Sequence, residues 1–186
     1  MEDSQIIALF QQRREEAIAA VREKYSAYCA QIAGNILGNS EDTEEVLNDL
    51  WLRVWNTIPP QEPYALRSFL AKIVRNLALD RYRAETSEKR GGGKLRAALE
   101  ELATCVPGGL APEMALDAKQ LQLDIGRFLA TLSARDRSIF LRRYFYMEST
   151  QEIAEKYGLR ENAVLTVLSR ARKKLKDYLR KEGYGL

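Results

Sequence analysis

The 186-residue chain has no histidine and only two cysteines, Cys29 and Cys105. The commonest general base of enzymes is therefore missing. The lone cysteines form no CxxC pair, which speaks against a zinc site, and isolated thiols fit a reducing, cytoplasmic setting. No apolar run approaches the roughly 20 residues that a membrane span requires. The N-terminal MEDSQIIALFQQRREE turns charged too soon for a secretory signal. Gly91–Gly93 lacks the following Lys-Ser/Thr of a phosphate loop and reads as linker. Asp49 and Asp80 fall in separate helices, and no nucleophile is paired with a base. No enzyme and no cofactor are expected. Strand-type alternation is absent as well, and there are no internal repeats.

What remains is helical periodicity. Residues 5–36 carry Ile6, Leu9, Phe10, Ala17, Val21, Tyr25, Tyr28, Cys29 and Ile32, mostly three or four apart. Gly34 and Gly38 break the pattern. Ser40 is the expected cap of a second helix, with Glu41, Asp42, Glu44 and Glu45 in a first turn where the helix dipole favours acid. It runs to about Thr57 and stops before the proline-bearing loop IPPQEPYA at 58–65. A third helix covers about Leu66–Glu85. SEKRGGGK is a charged, glycine-rich break, residues 95–103 form at most a short helix, and CVPGGLAPE breaks the chain again before helical patterning resumes. The expected fold is all-α: two small helical domains, at 5–86 and 115–186, joined by a flexible linker at 87–114.

The second domain holds the most informative stretch, STQEIAEKYGLRENAVLTVLSRARKKL from Ser149. It reads as two short helices meeting at Gly158, which can take the left-handed backbone that turns the chain. Ile153, Ala154 and Tyr157 make one apolar face, and Leu159 plugs the corner. Val164, Leu168, Ala171 and Leu175 bury one side of the second helix. Asn162, Thr166, Ser169 and Lys173 lie opposite, flanked by Arg170, Arg172, Lys174 and Lys176. A helix-turn-helix puts such a helix in the major groove, with short polar groups on base edges and Arg/Lys on phosphates. An αα-hairpin with a solvated basic face is the plainer alternative. The charge distribution favours DNA: residues 1–60 hold five Lys/Arg against ten Asp/Glu, whereas residues 117–186 hold fifteen against nine. An acidic front and a basic back suggest two surfaces for different partners.

The helix over Leu66–Glu85 adds a second basic element. Leu66, Phe69, Leu70, Ile73, Val74 and Leu77 form an apolar stripe. Lys72, Arg75, Asn76, Leu79 and Arg83 project from roughly the other side. Asn can hydrogen-bond an exposed base through both amide groups while basic neighbours hold a backbone; an ordinary amphipathic helix is the competing account.

In order, an acidic helix ending LNDLWLRVW, a proline-rich loop, RSFLAKIVRNLALDRYR, a linker and a helix-turn-helix ending LSRARKKL resemble the extracytoplasmic-function class of bacterial sigma factors, over about residues 8–85 and 117–182. The resemblance implies a transcription initiation factor with core RNA polymerase and promoter DNA as partners, and an anti-sigma factor as a further one. VLNDLWLRVW resembles the segment that docks on the polymerase clamp helices, which assigns core binding to Glu45, Val46, Asp49, Leu52 and Arg53, with Leu50 or Trp51 packed inside. SFLAKIVRNLALDRYR resembles the promoter-melting helix, which assigns −10 contacts to Tyr64, Arg67, Lys72, Arg75, Asn76 and Arg83. SRARKKL resembles the end of the −35-reading helix, which assigns duplex contacts to Asn162, Thr166, Ser169, Arg170, Arg172, Lys173 and Lys176. The linker would thread polymerase near the RNA exit path. One departure stands out: where the family usually has Thr-Val-Lys-Ser-Arg-Leu, this chain has Ala163-Val164-Leu165-Thr166-Val167-Leu168, so two expected basic residues are Leu165 and Val167. Val167 borders the core stripe and Leu165 lies off it. Two other classes stay open: a helix-turn-helix regulator that never joins polymerase, and a sigma-like protein-interaction module.

Overall fold

The computed structural model describes residues 1–86, 93–105 and 118–184. Among the described residues there are nine helices and no strand. The chain divides into two compact units, Met1–Gly92 and Gly93–Leu186.

The first unit contains α1 (Asp3–Gln11), α2 (Glu16–Leu37), α3 (Ser40–Thr57) and α4 (Leu66–Thr86). The expected helix over 5–36 is thus two helices. The break falls at Arg13, whose φ of 56° is left-handed, and whose guanidinium donates to the Trp55 carbonyl at 2.6 Å and lies 5.3 Å from the Trp55 ring centroid. Periodicity missed this turn because Phe10 and Ala17, both buried, are spaced as they would be on one continuous helix. Gly34 does not break α2; Gly38 does, with φ 75°. Asn39, rather than Ser40, caps α3 by accepting the Asp42 amide at 2.8 Å, a contact worth about 1 kcal/mol.

The core of this unit lies where α2, α3 and α4 pack on one another. Val21, Cys29, Ile32 and Ile36 meet Val46, Leu50 and Val54, and Leu66, Leu70 and Val74 close it from α4. Burial pushes the Cys29 thiol up to about 12, so it behaves as a small apolar group. The buried line of α4 is Leu66, Leu70, Ala71, Val74 and Ala78. Phe69, Ile73 and Leu77, expected in the stripe, are only half-buried. The two alanines shift the stripe because they let neighbouring helices approach closely, and a count of large apolar residues passes over them. Arg81 then ties α4 to the acidic start of α3, bonding Asp42 at 2.6 Å and Glu45 at 2.8 Å.

The second unit contains α5 (Gly93–Ala103), α6 (Ala118–Thr131), α7 (Ala134–Tyr144), α8 (Thr150–Tyr157) and α9 (Glu161–Lys181). Its core gathers Leu95, Ala98, Phe128, Leu132, Ile139, Phe140, Ile153, Val164, Leu168, Leu175 and Leu179. Helix α5 falls within the stretch expected as linker, yet it packs on α7. Glu101 of α5 accepts Arg143 at 2.6 Å, the Tyr144 hydroxyl at 2.7 Å and Arg172 at 3.1 Å. The remaining linker residues, 87–92 and 106–114, lie outside the described ones, as do the first residues of the expected second domain, 115–117. No helix among the described residues is long and apolar enough to cross a membrane.

Candidate nucleic-acid interface

The helix-turn-helix is held from both ends of its first helix. Ser149 and Glu152 form a capping box at the start of α8, and Gly158, at φ 62°, ends it. The Leu159 amide then returns to the Ala154 carbonyl at 2.9 Å. Glu148, buried just before α8, accepts Arg142 from α7 at 2.9 Å and Lys156 from α8 at 2.7 Å, which fixes the angle between those helices. Val164, Leu168, Ala171 and Leu175 are buried as expected. Asn162, Thr166, Ser169, Arg170 and Lys173 are exposed on α9, while Lys176 is half-buried. Val167 is half-buried at the stripe's edge, and Leu165 stands 43% exposed.

Arg172 sits differently from its neighbours on α9. Its guanidinium turns inward, donating to the Tyr144 hydroxyl at 2.6 Å and pairing with Glu101. Both bonds leave from Nη1, so part of the guanidinium is committed inside the unit while the side chain keeps 22% exposure. This partner set comes from α5 and α7, far away in sequence, so inspection of the helix alone could not find it. For Glu101, burial would raise the pKa, but hydrogen bonds from Arg143 and Tyr144 and the charges of Arg143 and Arg172 outweigh it and hold the carboxyl below its ordinary value.

In the first unit, α3, the loop after it and α4 enclose a groove of about 250 Å³ lined by Arg53, Thr57, Gln61, Phe69, Lys72, Ile73 and Asn76. Lys72 and Asn76 are thus brought together on one wall. The groove has an apolar floor from Phe69 and Ile73, amide and hydroxyl groups from Gln61, Thr57 and Asn76, and cations from Arg53 and Lys72. That combination suits a planar, hydrogen-bonding ring next to a phosphate. The sequence pattern places Phe69 and Ile73 in the core and Arg53 on a docking face; the available signal is that Phe69 precedes Lys72, and Ile73 precedes Asn76, by three residues. Arg75 does not share this wall. It is half-buried, and burial, followed by the like charge of Arg83, lowers its pKa from the usual guanidinium value. Arg67 lies over the Tyr28 ring at 4.4 Å and so also braces α4 against α2. Arg83 is exposed and pairs with Asp80 at 3.6 Å. Tyr64 is fully exposed in the loop.

The outer face of α3 presents Glu45, Asp49, Leu52 and Arg53 to solvent. Leu52 is 62% exposed, and Leu50 and Trp51 both pack inside. Val46, expected on that face, is 3% exposed and belongs to the core. The reason is register: Val46 shares its side of α3 with Leu50 and Val54, four residues apart. Beside Leu52 lies an apolar concavity of about 470 Å³, lined by Glu15, Ile18, Trp51, Leu52 and Trp55.

Comparison with known proteins matches both units. The family model for sigma-70 region 2 matches residues 22–88, and that for sigma-70 region 4 matches residues 122–175. The ECF RNA polymerase sigma factor SigE of Mycolicibacterium smegmatis is 25% identical over 81% of this chain, a match spanning 57% of SigE's own length. The ECF RNA polymerase sigma factor SigW of Bacillus subtilis is 23% identical over 89% of this chain and 90% of its own. A solved structure of CnrH in complex with the cytosolic domain of CnrY is 22% identical, with 97% of this chain and 99% of that one covered at a TM-score of 0.45.

Proposed function

Because the chain belongs to the sigma-70 family, in its extracytoplasmic-function class, we propose that it joins core RNA polymerase and directs it to two-part promoters, opening the −10 element with the first unit and holding the −35 duplex with the second. The family points to a protein without catalytic activity of its own. Core polymerase docks on α3 through Asp49, Leu52 and the adjoining apolar concavity, with Glu45 contributing the charge that Arg81 leaves unneutralised. A helix of the polymerase carrying basic and apolar residues fits such a surface. An anti-sigma factor is a further partner, brought in by the family resemblance alone.

The observation that carries this reading is the groove at Asn76. It lies inside the stretch matched by the region 2 model and joins Lys72 and Asn76 to Arg53, Gln61 and Phe69. A flipped −10 base enters it, with Asn76 on the base edge, Phe69 beneath the ring and Lys72 and Arg53 on the backbone. Flipping costs a few kcal/mol, which these contacts offset. Tyr64 and Arg67 flank the opened strand from the loop and the start of α4. On the second unit, Arg170, Lys173 and Lys176 contact phosphates and Asn162, Thr166 and Ser169 face the bases. Permanganate footprinting with core polymerase tests the groove: Asn76→Ala should lose thymine reactivity at −10 while closed-complex binding persists. Normal melting by that variant would refute the base pocket.

A further inference from the structure

The first two turns of α9, from Glu161 to Ser169, contain no lysine or arginine. These turns are the part of a recognition helix that reaches base edges. Guanine is read in the major groove chiefly by Arg or Lys bonded to its O6 and N7, and here basic residues begin only at Arg170. The groups offered instead are of another kind. Leu165 is 43% exposed, whereas the other leucines and valines of α9 are buried or half-buried. Thr166, its neighbour, donates its hydroxyl to the Asn162 carbonyl at 2.8 Å. That bond uses the hydroxyl's donor, so what the side chain offers a base is an acceptor oxygen and the γ-methyl. Ala163 adds a further exposed methyl at the helix start. Asn162, exposed in the first turn, has the donor–acceptor pair that matches adenine N7 and N6.

We propose that Leu165 and Thr166 form an apolar reader of thymine C5-methyl groups, with Asn162 on an adjacent adenine, so that this chain selects A·T pairs in the upstream duplex. The inference rests on the reading that α9 enters duplex DNA. Charge fits the occupant: Arg170 and Lys173 stand exposed one turn further on, where phosphates flank a helix in the groove. Leu165 is then a specificity-determining residue, and the missing basic residues are a change of sequence preference.

The test uses the full chain with core RNA polymerase. Duplexes are enriched from a library randomised upstream of a fixed −10 element. The enriched duplex is then remade with deoxyuridine for thymine at each upstream position. Uracil pairs as thymine does and lacks only the methyl. Binding should weaken about fourfold at one or two positions, the worth of a buried methyl group. Leu165→Ala should bind the thymine and uracil duplexes alike at one of them and match the parent chain on the uracil duplex. Enrichment of G·C pairs at those positions, or indifference of the parent chain to uracil everywhere upstream, would overturn the inference while leaving duplex binding intact. Failure to enrich any upstream sequence would overturn the duplex-binding reading itself.

Discussion

Replacing Glu101 by alanine removes the one carboxylate that α5 places against Arg143, Tyr144 and Arg172. The Arg143 side chain is only 7% exposed, and without Glu101 its remaining described hydrogen bond runs from Nη1 to the Glu148 carbonyl at 3.1 Å. Breaking a buried ion pair by deleting one partner costs about 3–5 kcal/mol. Glu101 is itself 26% exposed, so water screens part of the loss, and about 2–3 kcal/mol is expected. For a unit of this size that corresponds to a Tm lower by roughly 10 °C or more. Thermal unfolding of the full chain followed by circular dichroism reads it as a drop confined to the second unit's transition. The sign with pH follows from the lowered pKa of Glu101. Its contribution is present above the unfolded carboxyl pKa, about 4.3, and fades as pH falls through the lower folded value. Wild type and Glu101→Ala should therefore converge in strong acid. A Tm shift below about 2 °C at neutral pH, or a gap that widens on acidification, would refute the argument that Glu101 neutralises a buried cation.

Other outcomes follow from the same contacts. Asp49→Lys should weaken core-polymerase binding in a titration while thermal stability stays within about 0.5 kcal/mol, as for a surface substitution. Val46→Ala should instead destabilise the first unit by about 1–2 kcal/mol, measured by urea unfolding, with core affinity of the folded fraction unchanged. Arg170→Ala and Lys173→Ala should each lower the salt slope of duplex binding by about one. Arg172→Ala should lower that slope less than Arg170→Ala does and should lower the second unit's Tm, since its Nη1 is bonded to Glu101 and Tyr144.

Much of this was legible because it is local. The turn at Gly158, the four-three-four spacing from Val164 to Leu175, and the end of α3 before its prolines are all decided within a few residues. Asn76 and Lys72 were legible as a pair because one helical turn separates them. What sequence reading missed depends on partners distant in the chain. The turn at Arg13 is held by Trp55, α5 is held to its unit by Arg143, Tyr144 and Arg172, and Arg172 is turned from solvent by Glu101. Val46 was misplaced for a different reason: its resemblance to a docking motif outweighed a register that Leu50 and Val54 already fixed. Phe69 and Ile73 were assigned to the core on size, although alanines at 71 and 78 occupy its centre line.

The central claim, that this chain gives core RNA polymerase a promoter preference, is tested most directly by run-off transcription with purified core enzyme on genomic fragments. The account predicts discrete transcripts that require the added chain, start at sites sharing an upstream and a −10 element, and weaken with Asn76→Ala. No chain-dependent transcript from any fragment, with core polymerase bound to the chain all the same, would contradict it.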